Sequence, residues 1–229
     1  MFLNLKEEAI IVADAHYPNH QKEAFLSLLN SIKTKELKIP QLILMGDIFD
    51  LLVGNSPYLK DRFKKEIELL DSIAKEIEVI YLEGNHDFYL KPIFKNVKIV
   101  SLSNQPLLGE FNSKSLALSH GDRYLTPFSY KIYTKVIRNR VVLKILPDLI
   151  AKYKLKSMKK KRICRKIPYF KNQVAKLKRF YKSDIIIEGH YHQGIIVNNY
   201  YALPSFACKK ELAVVKKGKI VYKNLKDII

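Results

Sequence analysis

The sequence has no uninterrupted apolar run near the ~18 residues that a membrane-spanning helix requires, so no segment is expected to cross a bilayer. It has only two cysteines, Cys164 and Cys208, far apart and outside any CxxC pair. That scarcity points away from a disulfide framework and towards a reducing compartment. The opening residues, MFLNLKEEAI, contain two glutamates and no long apolar stretch, so no secretory signal is expected and a cytoplasmic location is. Internal repeats and low-complexity linkers are absent. Acidic residues are nearly missing from one stretch: residues 123–182 hold a single acid, Asp148, of the 22 in the chain, but 20 of its 41 lysines and arginines. That stretch therefore carries the whole formal excess of +19, while the remainder is balanced. A general lysine bias would spread along the chain, so the concentration implies an anionic partner for this segment.

What is present suits one domain. A chain of 229 residues with 48% hydrophobic content can close a single core. The first half alternates in type. AIIVADAH, PQLILMGD and EVIYLEGN read as buried strands, separated by the amphipathic stretches KEAFLSLLNSIKTK and LKDRFKKEIELLDSIAKEI. Strands separated by helices predict βαβ units and a largely parallel sheet. SKSLALSHGD and SDIIIEGH repeat the pattern of an apolar strand before a polar tip. The tail, with turn signals at Asn198-Asn199 and Lys217-Gly218, predicts β-hairpins that close a second sheet. Residues 126–182 interrupt this plan. They lack glycine, are broken by Pro147 and Pro168, and carry Tyr130, Tyr133, Ile137, Val141, Ile145, Leu149 and Tyr153 at helical spacing. The expected organisation is an α/β core of residues 1–125 and 183–229 with a basic, apolar helical lid, 126–182, inserted over one rim.

Each strand tip ends in metal-ligand residue types: Asp14 and His16, Asp47, Asn85 and His86, His120 and Asp122, then His190 and His192. In an extended segment side chains at i and i+2 share a face, so His190 and His192 are expected side by side. Ligands of open α/β sheets bind beyond the carboxyl ends of strands, where these five tips would converge. Five of the six histidines fall in them, and the sixth, His20, is expected at the solvated surface. Asp14, His16, Asp47, Asn85, His120, His190 and His192 exceed the donors of one tetrahedral zinc with an open position and suit two divalent ions. Paired ions ~3.5–4 Å apart recur in phosphoester hydrolysis. Mixed imidazole, carboxylate and amide ligation without thiolate favours Mn²⁺, with Fe²⁺ or Zn²⁺ as alternatives, over Cu(I) or Ca²⁺. Asp50 and Asp87 are expected to support the ligands and Asp122 to orient a ligand or touch substrate. Arg123, Tyr130 and Arg138 are candidate substrate contacts from their chemistry and closeness to His120.

The five blocks D-x-H, G-D, G-N-H-D, H-G-D and G-H-x-H, in order across residues 14–192, resemble the calcineurin-like metallophosphoesterase superfamily. The resemblance implies a four-layer α/β/β/α sandwich. It also implies one ion on Asp14, His16, Asp47 and His192 and a second on Asp47, Asn85, His120 and His190, with Asp47 bridging. His86 would contact the scissile phosphate and protonate the leaving oxygen. Within the superfamily, block spacing, the basic apolar insertion and the stretch HGDRYLTPFSYKIYTKVIRNR, with Thr126 in place, resemble the UDP-2,3-diacylglucosamine hydrolases of lipid A biosynthesis. Two positions depart from that family: His86 stands where arginine is common, and Pro127-Phe128 where an acidic pair is common. The resemblance implies hydrolysis of a nucleotide glycolipid to UMP and 2,3-diacylglucosamine 1-phosphate. It also implies peripheral attachment to the inner face of the inner membrane. An apolar chamber would gain ~0.8 kcal/mol per buried CH₂, and surface lysines ~1 kcal/mol each at an anionic leaflet. Two rival readings use the same fold: a nuclease or cyclic-nucleotide phosphodiesterase, and a non-catalytic scaffold binding a membrane or protein. The insertion's aliphatic content argues against a nucleic-acid face, and metal analysis separates the scaffold.

Overall fold

The computed structural model describes residues 1–124, 129, 136, 138–139, 147–158 and 163–229. Its centre is a pair of six-stranded sheets. The first has the order β14-β13-β2-β3-β5-β7, from β2 (Ile10–Val12), β3 (Gln41–Leu44), β5 (Glu78–Leu82), β7 (Lys98–Val100), β13 (Glu211–Lys216) and β14 (Lys219–Asn224). Within it β2, β3, β5 and β7 are parallel, and the β13–β14 hairpin joins antiparallel to β2. The second has the order β1-β8-β9-β10-β12-β11, from β1 (Leu3–Asn4), β8 (Leu107–Phe111), β9 (Lys114–Ser119), β10 (Ile185–Glu188), β11 (Ile195–Val197) and β12 (Tyr200–Ala202). Two short strands, β4 (Leu52–Val53) and β6 (Asp87–Phe88), pair beside the first sheet's rim.

Side-chain alternation shows why the strands lie between layers. Ile11, Ile43, Ile80, Leu116, Leu118, Ile185 and Ile187 meet between the two sheets. Their neighbours Ile10, Val12, Leu42, Leu44, Val79 and Tyr81 face helices instead. Strands buried on both faces read as continuous Ile/Leu/Val runs rather than as alternating ones. On the first sheet's outer face lie α1 (Lys22–Lys33), α2 (Pro57–Arg62) and α3 (Lys64–Ile73), inserting Phe25, Leu28, Leu29, Leu59, Ile67, Leu70 and Ile73. On the second sheet's outer face lies α5 (Phe170–Lys178), held by Phe170, Val174 and Leu177. The four-layer α/β/β/α sandwich is the observed fold.

Three expectations change. The helix read as one over 59–77 is two, because the chain leaves helical geometry at Phe63 (φ −111°, ψ 20°), whose ring enters an aromatic cluster with Tyr17 and Phe49. The tail hairpins do not close one sheet: β11–β12 joins the second and β13–β14 the first. The cysteines are not unpaired. Cys164 and Cys208 form a disulfide across 44 residues of sequence, with Cα atoms 5.6 Å apart, because segment 163–168 lies against the short helix α6 (Phe206–Lys209). Spacing along the chain could not show that proximity, and the expectation of a reducing compartment loses its basis.

Of the expected insertion, α4 (Pro147–Met158) packs Ala151 and Leu155 into the core beside α2. Asp148 accepts a 2.6 Å hydrogen bond from the Ser56 hydroxyl, and the Lys152 ammonium lies over the Tyr58 ring. With α4 on one outer layer and α5 on the other, this part of the chain straddles the sandwich. Thr126, Pro127, Phe128, Tyr130, Tyr133, Ile137, Val141, Ile145 and the run Lys159–Arg162 lie outside the described residues.

Candidate metal centre

Strands β2, β3 and β5 of one sheet and β9 and β10 of the other end on a common rim, and the structure gathers there every side chain of the five motifs. Asp14 Oδ1 is 3.1 Å from His192 Nε2, and Asp47 Oδ1 is 3.5 Å from His120 Nε2. Asp47 Oδ2 is 3.9 Å from His86 Nε2, and His120 Nε2 is 3.2 Å from Asn85 Oδ1. Three clusters hold ligand atoms within 4.8 Å of one another: Asp14, His16 and His192; His16, Asp47 and His86; and Asp47, His120 and His190. His16 and Asp47 each belong to two of them, so the middle cluster joins the outer donor sets.

The backbone is shaped to this end. Asp14, His16, Asp47, His190 and His192 all have positive φ, between 47° and 61°. The left-handed region costs a non-glycine residue of order 1–3 kcal/mol and is kept where the surroundings enforce it, commonly at functional sites. Two glycines are required by space. A Cβ on Gly46, itself at φ +83°, would lie 2.5 Å from His120 Nδ1, and one on Gly84 would lie 2.4 Å from Asp47 Oδ1. Asp87 then clips the two tips together. Its carboxylate accepts from the N–H groups of Asp47 (2.9 Å), Ile48 (2.7 Å) and Gly84 (2.9 Å) and from the Tyr81 hydroxyl (2.5 Å). Burial, then the charge of Asp47, pushes it up to about 6. Asp50 accepts from Asn19 N–H and sits 3.9 Å from His16 Nδ1, and burial pushes it up to about 7.

Three imidazoles are aimed by backbone carbonyls. Nδ1 of His86 lies 2.8 Å from the Asp50 oxygen, Nδ1 of His120 2.8 Å from that of Met45, and Nδ1 of His192 2.9 Å from that of Ile163. A carbonyl only accepts, so each Nδ1 carries the proton and each Nε2 turns to the centre, the arrangement that orients metal-binding histidines. Burial works against charge on Asp47 and His120, but their mutual attraction wins, so Asp47 stays well below its ordinary value and His120 well above. Asp14 and His192 behave alike, Asp14 lowered and His192 raised. Burial, with His86 beside one and His120 beside the other, lowers His16 to about 3 and His190 to about 4, so both rings are neutral near pH 7. Neither ring nitrogen of buried His16 has a hydrogen-bond partner among the described residues. An unsatisfied buried polar group costs ~1–3 kcal/mol. Neutral imidazoles, buried carboxylates and an orphaned ring are the donors a divalent cation takes.

The remaining candidates sit around this centre. Asp122 is buried and takes a 2.9 Å ion pair from Arg138, whose guanidinium also lies over the Phe88 ring. Arg123 donates to the Gln105 carbonyl (2.5 Å). Tyr130 lies outside the described residues. His20 departs from its expected solvated place: it is partly buried, its ring 6.4 Å from that of His16, and burial and the charge of His192 lower it. Gln105 was not foreseen. Its amide oxygen receives the His120 N–H at 2.7 Å and its nitrogen donates to the Glu83 carbonyl. Nor were the carbonyls of Met45, Asp50 and Ile163, since any residue supplies one and no sequence signal marks them.

Comparison with known proteins agrees with this geometry. The family model described as calcineurin-like phosphoesterase matches residues 9–194, which contain every motif above. The UDP-2,3-diacylglucosamine hydrolase of Coxiella burnetii (strain Dugway 5J108-111) is 23% identical over 198 residues, covering 82% of this chain and 81% of that protein. The protein of the same name from Blochmanniella floridana is 25% identical over 203 residues, covering 82% and 81%. Among solved structures, Yfce, a phosphoesterase from E. coli, is 13% identical with a TM-score of 0.49, covering 97% of this chain and 95% of that one. On the family match, the chain belongs to the calcineurin-like phosphoesterases and is a metal-dependent hydrolase.

Proposed function

We propose that this hydrolase cleaves the diphosphate of UDP-2,3-diacylglucosamine, giving UMP and 2,3-diacylglucosamine 1-phosphate. The observation that carries its chemistry is two donor sets, Asp14-His16-His192 and Asp47-His120-His190, linked through the buried cluster of His16, Asp47 and His86. Asp14, His16 and His192 would hold one divalent ion with Asp47, and Asn85, His120 and His190 the other with Asp47, manganese being the first choice for both. Two bound ions supply an acidified water and neutralise the charge that grows on the phosphate oxygens. The protein does the rest. Carbonyls fix the proton of His86 on Nδ1, leaving Nε2 at the centre to receive and pass on a proton to the leaving oxygen. Asp87 keeps Asp47 and the Gly84 turn in register. Water adds to the UMP-side phosphorus as the bond to the bridging oxygen breaks.

Support for this substrate comes from the relatives named above and from the insertion's two kinds of surface. Leu149 and Tyr153 on α4 are 64% and 79% exposed, an apolar face suited to acyl chains or a bilayer. The cations of residues 123–182 suit a diphosphate and an anionic leaflet. No helix among the described residues is long and apolar enough to cross a membrane, so attachment would be peripheral. Replacing Asp47 or His120 with alanine is expected to reduce turnover below one thousandth and to lower bound metal from two equivalents to one or none. Elemental analysis and a mass-detected product assay check both, and full activity in either variant would sink the two-metal reading.

A further inference from the structure

The disulfide lies against the metal centre. Cys164 immediately follows Ile163, whose carbonyl holds Nδ1 of His192. Cys208 belongs to α6, and the start of α6 is bonded to the first motif. Ser205 Oγ donates to the Asp14 carbonyl at 2.9 Å, Ala207 N–H donates to the same oxygen at 3.1 Å, and Phe206 N–H donates to the Ala13 carbonyl at 3.0 Å. Asp14 and His192 are the two ligands that face each other at 3.1 Å. One covalent bond therefore joins the segment that aims His192 to the segment that holds the backbone of Asp14. Gln193 strengthens the first arm: its oxygen accepts from Ile167 N–H and its amide donates to the Arg165 carbonyl. The bond can be reached from solvent, since Cys164 is exposed, Cys208 is partly buried, and a crevice of about 100 Å³ between them extends to His192.

We infer that Cys164 and Cys208 are positioning residues for one of the two ion sites, and that breaking their bond selectively weakens the site formed by Asp14, His16 and His192. This inference rests on the proposed metal reading. The other set, Asp47, Asn85, His120 and His190, has braces of its own: the Met45 carbonyl and the Gln105 amide hold His120, and Asp87 holds the backbone of Asp47, while its link to the first arm is the bond from His190 N–H to Asp14 Oδ2. Reduction frees segment 163–168 to move off the rim, and His192 then loses the acceptor that keeps Nε2 turned inward. Loss of such an orienting partner typically costs 10–100-fold in metal affinity. A cellular dithiol would perform the reduction by two-electron exchange, ending as its own disulfide and leaving two protein thiols.

The test uses the full chain. Free thiols are first counted in denaturant, where the oxidised protein is expected to show none. Cobalt(II) is then titrated into the metal-free oxidised protein, and two equivalents are expected with a visible absorption spectrum from each site. The same titration follows reduction with a trialkylphosphine, which becomes the phosphine oxide with an oxygen from water and is removed by gel filtration. The Cys208→Ser variant and the reoxidised protein complete the set. Reduced protein and variant are expected to keep their far-ultraviolet circular dichroism and one cobalt affinity, while the other falls 10–100-fold and recovers on reoxidation of the wild type. Two unchanged affinities after reduction, or two that weaken equally, would overturn the inference and leave the bond a structural staple. Two free thiols in protein exposed to air would overturn it as well. Failure of the oxidised protein to bind cobalt at all would instead contradict the metal reading on which the inference stands.

Discussion

Glu188 shows how much of the site is built from single residues that touch no ligand. It ends β10, is fully buried, and takes hydrogen bonds from the hydroxyls of Tyr181 and Tyr200 on its two oxygens. Burial outweighs both hydroxyls and pushes its carboxyl up to about 7 from an ordinary 4.5. Between those values the folded chain keeps a proton that the unfolded chain has released. Stability therefore falls as pH rises from about 4.5 to about 7 and levels off above. The change is on the order of 3 kcal/mol at ~1.4 kcal/mol per pH unit. Glu188→Gln is expected to remove that part of the slope in urea unfolding at equal metal load. Asp50 and Asp87 bend the curve in the same sense, so the reading is the difference between the two proteins. An unchanged slope in the variant would contradict a protonated Glu188. At this scale the sequence was most legible where chemistry is carried by side-chain type. Asp14, His16, Asp47, Asn85, His86, His120, His190 and His192 all reach one centre. Illegible were groups whose role depends on place alone: the carbonyls of Met45, Asp50 and Ile163, the amide of Gln105, and His20, which the turn at residues 17–21 brings beside His16.

At the level of elements, hydrophobic runs ending in a polar tip located the strands that build the rim, because a doubly buried strand needs just such a run. Short or half-exposed strands escaped that signal: β8 with its alternating LLGEF, β7 with KIV, and the two-residue β4 and β6. Helical spacing marks a stripe but not which side of it is buried. Leu149 and Tyr153, which helical spacing places on one stripe, are both exposed, while α4 buries Ala151 and Leu155 instead. Asp148 and Lys152, anchored on Ser56 and Tyr58, fix that rotation. The outward pair gives the element a test. Replacing Leu149 and Tyr153 together with serine is expected to leave thermal stability almost unchanged, since exposed substitutions shift it by about 0.5 kcal/mol or less. The same variant is expected to raise KM for a diacyl nucleotide sugar in mixed micelles several-fold and to leave hydrolysis of bis-p-nitrophenyl phosphate as it was. Equal kinetics on the glycolipid would remove α4 from the acyl-binding surface.

Over the whole molecule, two sheets supply one rim and the +19 excess falls in one stretch of chain. The α/β/β/α order followed from strand–helix alternation together with the family resemblance, because each layer's contacts are written in local periodicity. The disulfide did not, because it joins residues 44 apart that meet only after both arms have docked beside the centre. Charge and shape at this scale bear on the substrate. On the proposed reading the cations of that stretch meet a nucleotide glycolipid, whereas a nucleic acid would engage the same cations with a steep salt dependence. Product analysis by mass separates these substrates. Manganese-loaded enzyme is given UDP-2,3-diacylglucosamine in detergent, with cyclic AMP and a single-stranded oligonucleotide in parallel. UMP and 2,3-diacylglucosamine 1-phosphate are expected in equal amounts, at a rate far above turnover of either alternative. An intact glycolipid beside a cleaved nucleotide substrate would contradict that reading.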